Sequence, residues 1–164
     1  MKSIRYLFIA ATLTVPLVLP AAAMADGGTY VSTSAKVAVG GYDAVSYFRG
    51  KGTPVRGDAR YKVAFRGVAW HFASQANADA FKANPTAFAP QYGGHCAWAI
   101  AQGYLAPGDP TAYDIVDGRL YLNYDQGIRA KWRKNISGFI AKGGPNWAKI
   151  PAGKTYGGSS WFGL

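Results

Sequence analysis

The sequence predicts a single α+β domain of small antiparallel hairpins packed with short helices. Three observations carry that prediction. Two runs of β-prone residues are each divided by a two-residue turn containing glycine, Arg66-Gly67 and Asp117-Gly118, which is the signature of tight hairpins. The helical stretches between and after them are short and end at helix-stopping residues. The chain has 164 residues, 49% of them hydrophobic, about one domain's worth of chain with enough apolar material for a core. It shows no internal repeat and no linker long enough to separate two domains.

The elements follow in order. Residues 26–34 are small and polar and read as a loose lead-in. Gly40-Gly41 reads as a turn, and Tyr42 to Phe48 as a strand. Arg49 to Gly57 holds three more glycines and Pro54, a surface loop. Arg60 to Phe65 and Val68 to Phe72 form the first hairpin. Ser74 is suited to cap a helix over Gln75 to Ala83, because its hydroxyl can accept from the first free amides. Asn84-Pro85 ends that helix, since the residue before proline avoids the helical region. Pro85 to Phe88 reads as a further turn of helix and Gln91 to Gly94 as a loop. His95 to Gln102 reads as a short helix with Gly103 at its C-terminal cap. Tyr113 to Val116 and Arg119 to Tyr124 form the second hairpin. Gly127 to Gly138 reads as one basic helix with Ile128, Trp132 and Ile136 on one side. Phe139, Ile140, Trp147 and Ile150 supply further apolar anchors. From Gly153 the chain is rich in glycine and serine and ends in Trp161-Phe162-Gly163-Leu164.

The segment before Asp26 reads as an address. Lys2 and Arg5 precede an uncharged apolar run from Tyr6 to Leu19, and Ala23-Met24-Ala25 forms an A-x-A cleavage signal. This is the three-part pattern of a secretory signal peptide. The run is shorter than the roughly 20 residues of a membrane span, so no transmembrane segment is expected after cleavage. The expected location is the periplasm or the outside of the cell. The expected organisation is a leader over 1–25, one domain over 26–152 and a tail over 153–164.

Charge narrows the partners. The chain carries 18 basic and 8 acidic residues, a net +10, and every acid is aspartate. Such a charge attracts anions, but the basic residues are scattered. Their densest group is Arg129, Lys131, Arg133 and Lys134. Export argues against nucleic acid as the partner. The absence of G-x-S-x-G, H-E-x-x-H, Walker and dinucleotide-binding patterns points away from an enzyme. With no glutamate, paired-carboxylate chemistry would rest on aspartates alone.

The one cysteine, Cys96, excludes an internal disulfide and every multi-cysteine zinc site. An exported thiol is open to oxidation unless it is buried, metal-bound or used. Cys96 follows Gly93-Gly94 and His95 and is placed to begin a helix, where amide dipoles favour the thiolate.

Three stretches together resemble the YHS-domain family. They are Gly41-Tyr42-Asp43-Ala44-Val45-Ser46-Tyr47-Phe48, then Trp70-His71-Phe72-Ala73-Ser74 leading to Phe81 and Asn84-Pro85, then Ala89-Pro90-Gln91-Tyr92-Gly93-Gly94-His95-Cys96-Ala97. The resemblance covers about 39–101 as a core. A C-terminal extension over 102–152 is similar to that of the small exported, single-cysteine members. It implies a treble-clef-like core and a metal-associated role. Members fused to metal-transport ATPases carry cysteines where this chain has Ala73 and Asn77, so that form of site is excluded here. His95 stands where the resemblance implies tyrosine.

The expected site is therefore a thiolate and imidazole set, Cys96, His71 and His95, holding copper or zinc. Asp43, Tyr42 and Tyr92 are placed to support it with oxygen ligands or hydrogen bonds. Alternation along the strand sends His71 to the face opposite Trp70 and Phe72. His95 and Cys96, as neighbours, diverge unless the backbone is irregular. Two alternatives stay open: a thiol redox protein using Cys96 with a partner thiol, and a non-catalytic module binding a small ligand or a cell-envelope protein.

Overall fold

The computed structural model describes residues 28–32, 34–49 and 52–157. The expected leader over 1–25 and the Trp161-Phe162 tail lie outside the described residues. Among the described residues, two two-stranded antiparallel sheets and five α-helices make an α+β fold. Strands β1 (Asp58–Phe65) and β2 (Val68–Phe72) form the first sheet; β3 (Asp109–Val116) and β4 (Arg119–Asn123) form the second. Helices α1 (Gln75–Ala83) and α2 (Pro85–Phe88) follow the first sheet, and α3 (Ala97–Ala101) precedes the second. Helices α4 (Gln126–Arg133) and α5 (Ile136–Ala148) close the order.

Both hairpins turn on the same chemistry. Arg66 and Gly67 have φ of 53° and 73°, and Asp117 and Gly118 have 49° and 70°. Two successive positive φ values give the turn whose twist matches paired strands. Each sheet also carries an irregularity, between Asp58 and Lys62 and between Asp109 and Tyr113, which bends its first strand.

Two apolar clusters result. In the first, Trp70, Phe72 and Phe81 pack with Val45, Tyr47, Leu120 and Leu122. In the second, Tyr92, Ile100, Tyr121 and Trp132 pack with Phe139, Ile140 and Trp147. Strand β4 lies between them. Because side chains alternate along a strand, Leu120 and Leu122 enter the first cluster and Tyr121 the second. The C-terminal extension thus shares a strand with the core it completes.

Three sequence expectations are corrected. Tyr42 to Phe48 is not a strand: one short 3-10 turn, Val39–Gly41, precedes it, a second, Ser46–Phe48, forms its end, and Tyr42 makes only an isolated bridge to Arg56. The buried Asp43 carboxylate bends the chain there by accepting from Val45 N at 2.8 Å and Ser46 N at 3.3 Å. The basic helix is two helices, because Asn135 caps the second by accepting from Gly138 N at 3.1 Å. A capping side chain offers the backbone an alternative to continuing the helix. The lead-in is a strap rather than a loose end. Gly28 N donates to Lys154 O at 2.7 Å and Tyr30 N to Gly93 O at 2.8 Å.

Candidate functional site

Cys96 and His95 occupy one extended step between the Gln91–Gly94 turn and α3. That step is laced on both sides. His95 bridges Pro107, Cys96 bridges Leu122, and Cys96 N donates to Ala106 O at 3.0 Å. The extended backbone sends the two side chains apart, as alternation requires.

The Cys96 side chain turns inward and the residue is 1% exposed. Sγ lies 3.9 Å from Asn123 Oδ1. Burial pushes the thiol up, and the backbone amides of Ala99, Tyr124 and Trp98 only partly oppose it. The helix-start position is real, since Cys96 is the N-cap of α3, but desolvation of a charged sulfur outweighs the amides.

His95 goes the other way and is fully buried. Its Nε2 lies 3.1 Å from Tyr156 N and 3.2 Å from Thr155 Oγ1, and its Nδ1 lies 2.8 Å from Tyr92 O. A backbone N–H can only donate, so Nε2 accepts and the ring proton sits on Nδ1, donated to the Tyr92 carbonyl. The rings of Tyr30 and Trp147 lie each 5.6 Å from the imidazole. Burial pushes the His95 pKa down to about 4 against the opposing bond to Tyr92 O. Both nitrogens are committed, and the imidazole joins both terminal straps to the core.

His71 stays on β2, opposite Lys62. As alternation predicts, it is half-buried while Trp70 and Phe72 are buried. Gly57 packs against its backbone so closely that a Cβ there would lie 2.4 Å from His71 C. The expected ligand set is not brought together: no group of three or more His, Cys or Asp side chains able to hold a metal ion occurs among the described residues.

The expected supporting residues have structural partners. Both Asp43 oxygens are used, Oδ2 accepting from Ala73 N at 2.9 Å and Asn77 Nδ2 at 2.6 Å. Asp43 therefore ties the Tyr42–Phe48 segment to the start of α1, and Asn77 serves this carboxylate. The Tyr42 ring lies under the Arg56 guanidinium, 4.3 Å away. Tyr92 lies in the second cluster, with burial raising its phenol to about 12. Of the basic group, Arg129 and Arg133 both bond Asp114.

The residues missed from the sequence are Asn123, Thr155 and Tyr156. Asn123 is fully buried; its Oδ1 accepts from Trp98 N at 3.3 Å, while Nδ2 has no partner among the described residues. An amide NH₂ donates and would repel a cation, so this unsatisfied atom adds no metal ligand beside Cys96. No short-range signal marks Thr155 or Tyr156, because their partner, His95, is remote from them along the chain.

The fold and this segment define a small α+β domain with a laced, buried Cys-His step. Residues 51–92 match the family model of the YHS domain, and the chain carries a YHS domain there. The match spans β1, β2, α1 and α2 and stops short of His95 and Cys96. No curated protein and no solved structure matches the chain. No described helix is long and apolar enough to cross a membrane.

Proposed function

We propose that the chain is an exported YHS-type domain that works as a non-catalytic binding module, located in the periplasm or secreted. The observation that supports this reading is the burial of the Cys96–His95 step, with the thiol desolvated and both imidazole nitrogens engaged. A thiol redox cycle needs a reachable thiolate, which that burial opposes. The export assignment rests on the three-part pattern of the segment before Asp26.

The copper or zinc role implied by family resemblance is a separate reading of the same residues. The donors present do not fit it: sulfur, Nδ1 and Nε2 are turned to protein partners, and a stable site for either ion needs several converging soft or imidazole donors. One titration separates the readings. Isothermal calorimetry of the purified chain with Zn(II), and with Cu(I) under anaerobic conditions, should show no stoichiometric uptake. One tightly bound equivalent that disappears in Cys96→Ala would replace the module reading with the metal one.

A further inference from the structure

We propose that the cleft between α5 and the Gln91–Gly94 turn binds a small aromatic carboxylate. This deepens the binding-module reading and rests on it. The cleft has a volume of about 560 Å³, within the roughly 300–1,000 Å³ of small-molecule sites. Its aromatic walls are Tyr92, Tyr121 and Trp147, with the Tyr92 ring 5.8 Å from Tyr121 and 6.0 Å from Trp147.

The charge in the cleft is positive. Arg119 lines it, and no acidic residue does. The Arg119 side chain makes no hydrogen bond or ion pair among the described residues. Asp117, close in sequence, lines an adjoining groove without bonding to it. Burial raises the Tyr92 and Tyr121 phenols, the Arg119 charge pulls both down, and the Asp117 charge acts on Tyr121 in the opposite sense. Flat π surfaces beside a guanidinium, with no carboxylate lining the cleft itself, suit a planar apolar body bearing an anion.

Two of the three glycines of α5, Gly143 and Gly144, bear on the shape of the cleft. A Cβ at Gly143 would lie 2.5 Å from Tyr92 Oη, so packing explains that glycine. Gly144 precedes Pro145 within the helix, where a Cβ disfavours the helical region; apart from its chain neighbours, a Cβ there would meet nothing within 4 Å. Gly144 lines the cleft, and the missing side chain keeps that space open.

The test follows the Trp147 indole N–H by two-dimensional NMR while benzoate is added, with benzyl alcohol as the uncharged analogue. Benzoate should give a saturable shift, and benzyl alcohol should bind about tenfold more weakly, as loss of a charge-assisted hydrogen bond predicts. Arg119→Gln should weaken benzoate by a similar factor. Gly144→Leu should abolish the shift in a chain that still shows a cooperative unfolding transition, and Arg119→Gln tests the same site without touching the helix. No saturable shift in the wild type, or undiminished binding in a folded Gly144→Leu protein, overturns the proposal. If benzoate fails while zinc and copper stay unbound, only this ligand assignment falls. Stoichiometric metal uptake removes the module reading whatever benzoate does.

Discussion

Acidification from pH 7 to pH 4 should cost the folded chain about 3 kcal/mol through His95 alone. The sign follows from the neutral imidazole. Folding lowers the His95 pKa from 6.5 to about 4, so the unfolded chain takes up the proton first. The stabilising contribution is complete above pH 6.5 and declines as the pH falls toward 4. Below that, both states are protonated and the loss levels off. The structural event is specific. Protonated Nε2 becomes a donor facing the Tyr156 N–H, which is also a donor, and the 153–157 strap loses its anchor. The strap over 28–31 follows, because Gly28 bonds Lys154 and Thr155 Oγ1 reaches Thr29 O.

Urea unfolding at several pH values checks this. His95→Phe should be less stable at pH 7 and nearly flat between pH 6.5 and 4, whereas the wild type slopes. A wild-type curve as flat as the variant's would contradict the assignment. Asp114 does not blur the window. Its bonds to Arg129 and Arg133 hold its carboxyl below the usual aspartate value of 3.8, so its contribution persists through this range and is lost only at lower pH.

Asp43→Ala should destabilise the fold by about 4 kcal/mol, through several buried donors losing their acceptor at about 1–3 kcal/mol each with partial relaxation. Val45 N, Ser46 N, Ala73 N and Asn77 Nδ2 all point at that carboxylate, and the residue is fully buried. Asp43→Asn keeps one acceptor oxygen and turns an NH₂ toward donors, so it should cost less than alanine but more than about 1 kcal/mol. Chemical denaturation midpoints measure both. A loss under about 1 kcal/mol for Asp43→Ala, less than one unsatisfied buried donor costs, would mean that the Ser46–Phe48 turn and the start of α1 hold without their shared anchor.

The two hairpins, the N-cap at Ser74, the stop at Asn84-Pro85 and the short helix before Gly103 were legible because each is set by residues within a few positions. Arg66-Gly67 and Asp117-Gly118 specify their turns locally, and Ser74 accepts from Asn77 N as its position predicts. The break at Asn135 was masked because Ile128, Trp132 and Ile136 keep a helical spacing across it. Tyr42 to Phe48 has the composition of a strand, but Asp43 wins by bonding amides two and three positions ahead of it.

The site was less legible, and for a long-range reason. Glycines, a histidine and a helix start around Cys96 are the local marks of a reactive thiol, and the N-cap position is as expected. What decides its chemistry is the cover supplied by β4 and Asn123, which come from the far side of the second hairpin. Likewise His95 looks like a ligand beside Cys96 until Tyr30, Trp147 and Tyr156 arrive from both ends of the chain. The opposite directions of the two side chains followed from their being neighbours, and that alone argued against a shared ion.

The central claim is that the Cys96 sulfur is closed off in the folded protein. Alkylation by iodoacetamide at pH 8, followed by intact mass, tests it most directly. The folded chain should remain unmodified over a period in which the urea-unfolded chain gains one adduct completely. Modification of the folded chain at the rate of the unfolded one would mean that the thiol is accessible, and would return Cys96 to the centre of the protein's chemistry.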